Sequence, residues 1–400
     1  MQSNFKDKIE QFEAEKLINS LRYGTVPSEH LELISVGRKF WLRAVEEDLQ
    51  FISQGASKVR FISASYGGGK TFFLNLVKKL ALEKHFAISY VELHSKEAPM
   101  DKFEIIFPKI MRGIITSDST YGIESIFQNW INNFHYYDRV EIENRLKDIS
   151  HSLDFRAALR SYLKFSGLDS PEAKEYQLQI LGWLSGNKLS TKIANKIGIR
   201  NAISISNATE VLGSFLKFLK FNNFPGLILF LDEAEAVTSL SQSRRRDEAN
   251  QNIRKLLDNA DNHSGIYIIF ATTPKFLEDP NVGAKTYAAL WERIKDVMNI
   301  NFRFPNKRSS IIPLNPLNKK QFITLGKVIT NIHGLAYNWD SEGSLDANLI
   351  EKFVECFEAK SKERLVRIFI RGLINVLDIM EQNEDFNAAE ELDDFIFSEN

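Results

Sequence analysis

Between Val59 and Leu76 the sequence reads VRFISASYGGGKTFFLNL, and three glycines there run directly into a lysine and a threonine. Glycines let successive main-chain N–H groups converge on one point, because no Cβ blocks the approach. A helix beginning at the Lys-Thr pair adds its free N–H groups and the positive end of its dipole. In that setting Lys70 reaches the β- and γ-phosphates of a nucleoside triphosphate such as ATP, and the Thr71 hydroxyl ligates Mg²⁺. Tyr66, Gly67, Gly68, Gly69 and Phe72 complete the candidate nucleotide-binding stretch. The phosphate-loop pattern asks for glycine at its first position, where this chain has Ala64. Alanine is tolerated there if φ stays negative.

Other residue types fit the same chemistry. Asp232-Glu233 follows the apolar run Leu227–Leu231. The first acid at the end of such a strand can hold the Mg²⁺ water shell, and the second can polarise the attacking water. Thr273, after the apolar run 265–271, is placed to sense the γ-phosphate. Arg293 is either a finger reaching a neighbouring subunit's site or the partner of Glu292 or Asp296 in a salt bridge. Arg364 opens a C-terminal helix and either reaches back to the γ-phosphate or belongs to a solvated basic stripe with Arg367 and Arg371. Arg38, at the start of an early helix, is a contact for nucleotide or a neighbouring subunit, or a solvated arginine.

These residues need a sheet to hold them. Apolar runs predict five strands, at about 59–63, 87–93, 227–231, 266–271 and 310–314. Residues 1–30 read as an N-terminal helical segment ending near Gly24 and Pro27. An ATPase core spans 31–314, with a helical insertion at about 100–220. Helices at about 318–332, 345–358 and 361–380 form a helical lid over 315–380, and 381–400 is an acidic tail. The insertion contains LSTKIANKIG, similar to the first half of a helix-turn-helix, with Lys188, Lys192, Lys196 and Arg200 around it. An ordinary cationic helix face is the favoured reading of the same residues. Arg244-Arg245-Arg246 gives a second basic cluster. Phe386, Leu392, Phe395 and Phe397 in the tail are candidates for docking on a partner.

Lys+Arg 51 against Asp+Glu 52 leaves no global polyelectrolyte signal, so any nucleic-acid contact must come from a local patch. The single Cys356 forms no internal disulfide and fits a reducing cytoplasm. No apolar run reaches the roughly 20 residues of a membrane span, so no membrane partner is expected. The 30 phenylalanines read as core material.

The motifs VGRKFWLRAVEEDLQFI, FISASYGGGKTFFL, GWLSGNKLSTKIANKIGI, GLILFLDEAEAV, IFATTPKFLEDPNVGAKTYAALWERI and KERLVRIFIRGLINVLD follow one another in that order. The phosphate loop, Asp232-Glu233 and the helical lid together resemble the AAA+ class of P-loop ATPases. The full linear pattern resembles the BREX-system ATP-binding proteins of BrxC/BrxD type, over most of residues 31–380. The resemblance implies an α/β AAA+ P-loop NTPase with a five-stranded, mostly parallel sheet, a helical insertion and a C-terminal helical lid. It also implies a cytoplasmic Mg-dependent ATPase of anti-phage defence, a homo-oligomer that associates with double-stranded DNA and with other defence-system proteins. The alternative is a nucleotide-gated adaptor with little intrinsic hydrolysis.

Overall fold

A computed structural model of the chain describes residues 9–118, 122–134, 139–150, 152–204, 206–260, 264–295, 305–361, 365–383 and 385–392. Contacts divide the chain into two bodies, one of Ala44–Ser63 and Lys78–Ile312, the other of Met1–Arg43, Ala64–Val77 and Pro313–Asn400.

The first body is built on a sheet. Its strands are β1 Lys58–Ser63, β2 Ala87–Glu92, β3 Ile114–Ile115, β4 Leu227–Asp232, β5 Ile266–Thr272 and β6 Ile311–Pro313, in the order β3-β2-β4-β5-β1-β6. β1 with β5, β4 with β5 and β2 with β4 are parallel. The sheet therefore has six strands, where the sequence patterns count five. The sixth is β3, an antiparallel edge pairing Ile114 with Ser89 and Ile115 with Ile88. Two residues after a helix ending at Arg112 are too short to show any periodicity, and their pairing is visible only in three dimensions.

Strand alternation sorts the sheet into two faces. Phe61, Val91, Leu229, Leu231 and Phe270 share one face and join the larger apolar core. Phe61 and Phe270, directly paired, stack with centroids 4.9 Å apart. The same core takes in the helices between β2 and β4, where Phe127, Trp130, Phe155, Tyr162, Phe215 and Phe218 are fully buried or nearly so. Ser152, Ser170 and Ser190 cap three of those helices, each accepting from the main-chain N–H three residues on.

The other face carries Arg60, Tyr267, Phe230, Tyr90 and Asp232. Asp48, on the helix Lys39–Ser53, lies at the centre of a buried ionic cluster. It accepts from Lys58, from Arg60 Nε and Nη2 (2.8 and 2.9 Å) and from the Tyr267 hydroxyl (2.7 Å). Burial pulls the Arg60 pKa down, but the Asp48 contacts outweigh it and the guanidinium is held above its usual value. Burial and the Asp48 charge push the Tyr267 phenol far up, so it stays a donor.

The second body has its own core. Ala14, Leu17, Ile18 and Leu21 of the helix Gln11–Arg22 pack with Phe322, Ile329, Phe353, Phe369 and Leu373 of the helices Lys319–Tyr337, Ala347–Lys360 and Val366–Gln382. A capping box of Asn318 and Gln321 starts the first of these. Leu392 is wholly buried in this core and Phe386 packs against it, so these two tail residues are satisfied within the chain. Phe395 and Phe397 lie outside the described residues.

A polar chain ties the N-terminal helix to the C-terminal ones. Trp339 Nε1 donates to His333 Nδ1 (2.9 Å), His333 Nε2 donates to Asp378 (3.0 Å), and Arg22 donates to both oxygens of Asp378 (2.9 and 2.6 Å). The Trp339 contact requires the neutral tautomer with its proton on Nε2. Burial pulls the His333 pKa below its usual 6.5, against the raising effect of Asp378. Between that lowered value and 6.5 the unfolded chain binds the proton more readily, so acid favours unfolding there. The urea midpoint is expected to fall as pH drops from 7.5 to 5.5, and His333→Gln to flatten that fall. An unchanged slope in the variant refutes the assignment.

Candidate nucleotide site

Each body holds one part of the candidate chemistry. In the second body the glycine loop runs from Ala64 into the helix Lys70–Glu83. Gly67 and Gly69 have φ of +72° and +91°, the left-handed region where a side chain is strained. Gly68 between them is confined too, since a Cβ there would meet the Ala64 Cβ and the Ser65 carbonyl at 3.0 Å. Alternating left-handed glycines of this kind can turn main-chain N–H groups toward an anion, and here the Gly68 N–H donates to the Ser65 carbonyl (3.0 Å). Lys70, at the helix start, is 7% exposed, with its ammonium 5.6 Å from the Tyr66 ring centroid. The Tyr66 ring itself is open to solvent, Thr71 is exposed, and Phe72 is half-buried against the apolar core of this body.

Arg38 is brought to the same loop. Its guanidinium donates to the Gly68 carbonyl (3.2 Å) and the Asn315 carbonyl (3.0 Å), and the residue is 5% exposed. Among the described residues its hydrogen-bond partners are these two neutral carbonyls, and burial alone lowers its pKa. A desolvated cation at a glycine loop, with no carboxylate partner among the described residues, can receive an anion.

In the first body, parallel pairing brings the carboxyl ends of β1, β4 and β5 to one edge of the sheet. β4 ends in Asp232, which is 3% exposed. Its Oδ1 accepts the Glu233 N–H (2.8 Å) and its Oδ2 accepts the Tyr90 hydroxyl (2.5 Å). Glu233 adopts φ 55°, ψ 40°, a left-handed backbone that glutamate rarely takes. Lys78 places its ammonium 3.5 Å from the Tyr90 ring centroid and 5.8 Å from that of Phe230. Burial lowers the Lys78 pKa and the Asp232 charge opposes it, while burial and Asp232 raise the Tyr90 phenol. A cleft of about 490 Å³, lined by Tyr90, Glu92, His94, Lys109 and Arg112 among others, opens beside this group.

β5 ends in Thr272, whose hydroxyl is buried with no hydrogen-bond partner among the described residues. The next residue, Thr273, continues in extended backbone, so alternation turns it to the Asp232 side of the sheet. Arg293 pairs with Asp258 and the Ala289 carbonyl, while Lys295 pairs with Glu292. Asp258 is a partner that sequence spacing did not suggest, and Asp296 lies outside the described residues, as does Arg364. The arginines at 244–246 are also engaged within the chain, Arg244 with Glu248, Arg245 with Asp101 and Arg246 with the Leu240 carbonyl. Lys188, Lys192 and Lys196 are exposed.

The family model described as BREX system ATP-binding protein BrxC/D matches residues 9–395. The chain belongs to this family. The match takes in the glycine loop, Asp232-Glu233 and the C-terminal helices of this BrxC/D family member. No curated protein matches it. No helix among its described residues is long and apolar enough to cross a membrane.

Tyr90 and Lys78 are the residues of this site that sequence reading missed. Both left a trace. Lys78 stands on the i, i+4, i+8 stripe from Lys70 through buried Leu74, where a solvated lysine is out of place. Tyr90 is the one phenol in β2, at the same parity as Glu92.

Proposed function

We propose that the chain is a cytoplasmic Mg-dependent ATPase of the AAA+ type, acting in bacterial anti-phage defence. The observation that carries this reading is the glycine loop, with two left-handed glycines, a lysine opening the helix and a buried arginine bound to the loop's own carbonyl. Membership of an ATP-binding family points the same way.

In this assignment the loop amides and Lys70 hold the β- and γ-phosphates, and Arg38, whose hydrogen-bond partners among the described residues are neutral carbonyls, adds positive charge. Asp232 and the Thr71 hydroxyl suit Mg²⁺, since both offer hard oxygen and the hydrogen bonds to Asp232 leave lone pairs on each of its oxygens. A divalent ion held there would supply Lewis-acid stabilisation of the phosphate charge. Glu233 orients and deprotonates the attacking water, Thr273 lies by the γ-phosphate, and Arg293 and Arg364 complete the site, Arg293 from a neighbouring subunit. Oligomerisation, contact with other defence-system proteins and duplex DNA binding through Lys188, Lys192 and Lys196 belong to the same proposal.

A second reading, a nucleotide-gated adaptor with little hydrolysis, draws support from Ala64, which stands where the phosphate-loop pattern asks for glycine. Single-turnover hydrolysis without a partner, complete within minutes, excludes the adaptor.

Calorimetric titration with ATP and Mg²⁺ tests the binding. Lys70→Ala is expected to weaken it about 100-fold, the scale for losing one partner of a desolvated charge pair, and Arg38→Ala about 10-fold, the scale of one charge-assisted hydrogen bond. Equal affinity in all three proteins, or none in the wild type, overturns the proposal.

A further inference from the structure

The Asp232 carboxylate is pinned from two sides before any cation arrives. Tyr90 and Asp232 come from adjacent parallel strands, with Tyr90 opposite Phe230 and Asp232 two residues further on, on the same face. The phenol therefore reaches forward along the strand to Oδ2, while the Glu233 N–H fixes Oδ1. A carboxylate at a strand end has a free χ2 torsion unless both oxygens are engaged, and here both are. The nearby cation is arranged in an unexpected way. Lys78 makes no ion pair with Asp232 among the described residues; its ammonium sits over the Tyr90 ring instead. A lysine bonded to the carboxylate would neutralise it and compete with a metal. A lysine on the ring face leaves the charge in place, draws density from the ring and strengthens the phenol as a donor.

We infer that Tyr90 is a positioning residue for the divalent cation that accompanies the nucleotide, with Lys78 holding its ring. Together they keep Asp232 aimed, with one set of lone pairs on each oxygen left for the hydrated ion. The inference rests on the nucleotide reading above. Partners that orient a metal-binding carboxylate typically contribute 10- to 100-fold in metal affinity.

The test separates metal binding from nucleotide binding and from turnover. Affinity for ADP is measured without divalent cation, then Mn²⁺ is titrated into the ADP complex and followed by its electron paramagnetic resonance signal. Tyr90→Phe, which keeps the ring and its packing, is expected to bind metal-free ADP like the wild type but to need about 10-fold more Mn²⁺ for half-saturation. Lys78→Met is expected to shift the Mn²⁺ midpoint about 3-fold and Lys78→Arg to restore it, since a guanidinium also lies over a ring. Asp232→Ala is the reference for complete loss. If Asp232→Ala loses Mn²⁺ while Tyr90→Phe and Lys78→Met keep the wild-type midpoint, the inference fails and the nucleotide reading stands. If wild type binds neither ADP nor Mn²⁺, the nucleotide reading fails and takes the inference with it.

Discussion

Asp48→Ala is expected to cost about 3–5 kcal/mol of folding stability, the scale for stripping one partner from a buried ion pair. The wild-type carboxylate is 3% exposed and satisfies Lys58, Arg60 and Tyr267 at once. Without it, Arg60, which is 1% exposed, keeps among the described residues only the Lys307 and Ser309 carbonyls, and the Tyr267 phenol loses its acceptor. Domains of this kind are stable by only about 5–15 kcal/mol, so the loss should be visible as poor soluble yield as well as a lower denaturation midpoint. Arg60→Met alone should also be costly, because it leaves Asp48 facing Lys58 and Tyr267 without its bidentate partner. The double variant Asp48→Ala/Arg60→Met should recover much of the sum, since removing both charges removes the uncompensated one. A single Asp48→Ala loss below about 1 kcal/mol would mean that water or a rearranged carbonyl replaces the carboxylate, and the cluster would then not anchor β1.

The second large effect is on chemistry. Glu233→Gln is expected to lower ATP turnover about 10²- to 10⁴-fold, the contribution of a positioned general base, with ATP affinity within a few-fold of wild type. Loss of binding in step with turnover would instead indicate a ground-state contact. The backbone offers an independent check. Glu233 holds a left-handed conformation that costs a non-glycine residue about 1–2 kcal/mol. Glu233→Gly should therefore be more stable than wild type and as inactive as Glu233→Gln. Stability and activity moving in opposite directions is the mark of strain kept for function. A glycine variant that is less stable, or a glutamine variant with turnover near wild type, refutes this role.

How much of this was legible beforehand depends on the range of the interaction. Leu227–Leu231 announces a buried strand because every residue is apolar, and all five are indeed buried. The glycine loop is local, so its turn and the helix after it could be read from eight residues. β3 escaped because two residues carry no period. The Asp48–Arg60–Tyr267 cluster escaped because it joins positions more than 200 residues apart, and an isolated charge in a strand reads as solvated until the register is known. Tyr90 and Asp232 are likewise linked only through the pairing of β2 with β4. Arg38 was visible as a candidate, but its burial against Gly68 was not, since that contact depends on how a loop 30 residues later folds back.

The core that packs the helix Gln11–Arg22 against Lys319–Tyr337 and Val366–Gln382 has a consequence for how the protein is made. A ribosome adding roughly 5–20 residues per second leaves the first helix and the glycine loop without their packing partners for on the order of tens of seconds. During that interval Leu17, Ile18 and Leu21 stay uncovered, and nascent chains stalled before residue 319 should not be able to grip nucleotide. The helices Lys319–Tyr337 and Val366–Gln382 must therefore be made before the first helix is covered.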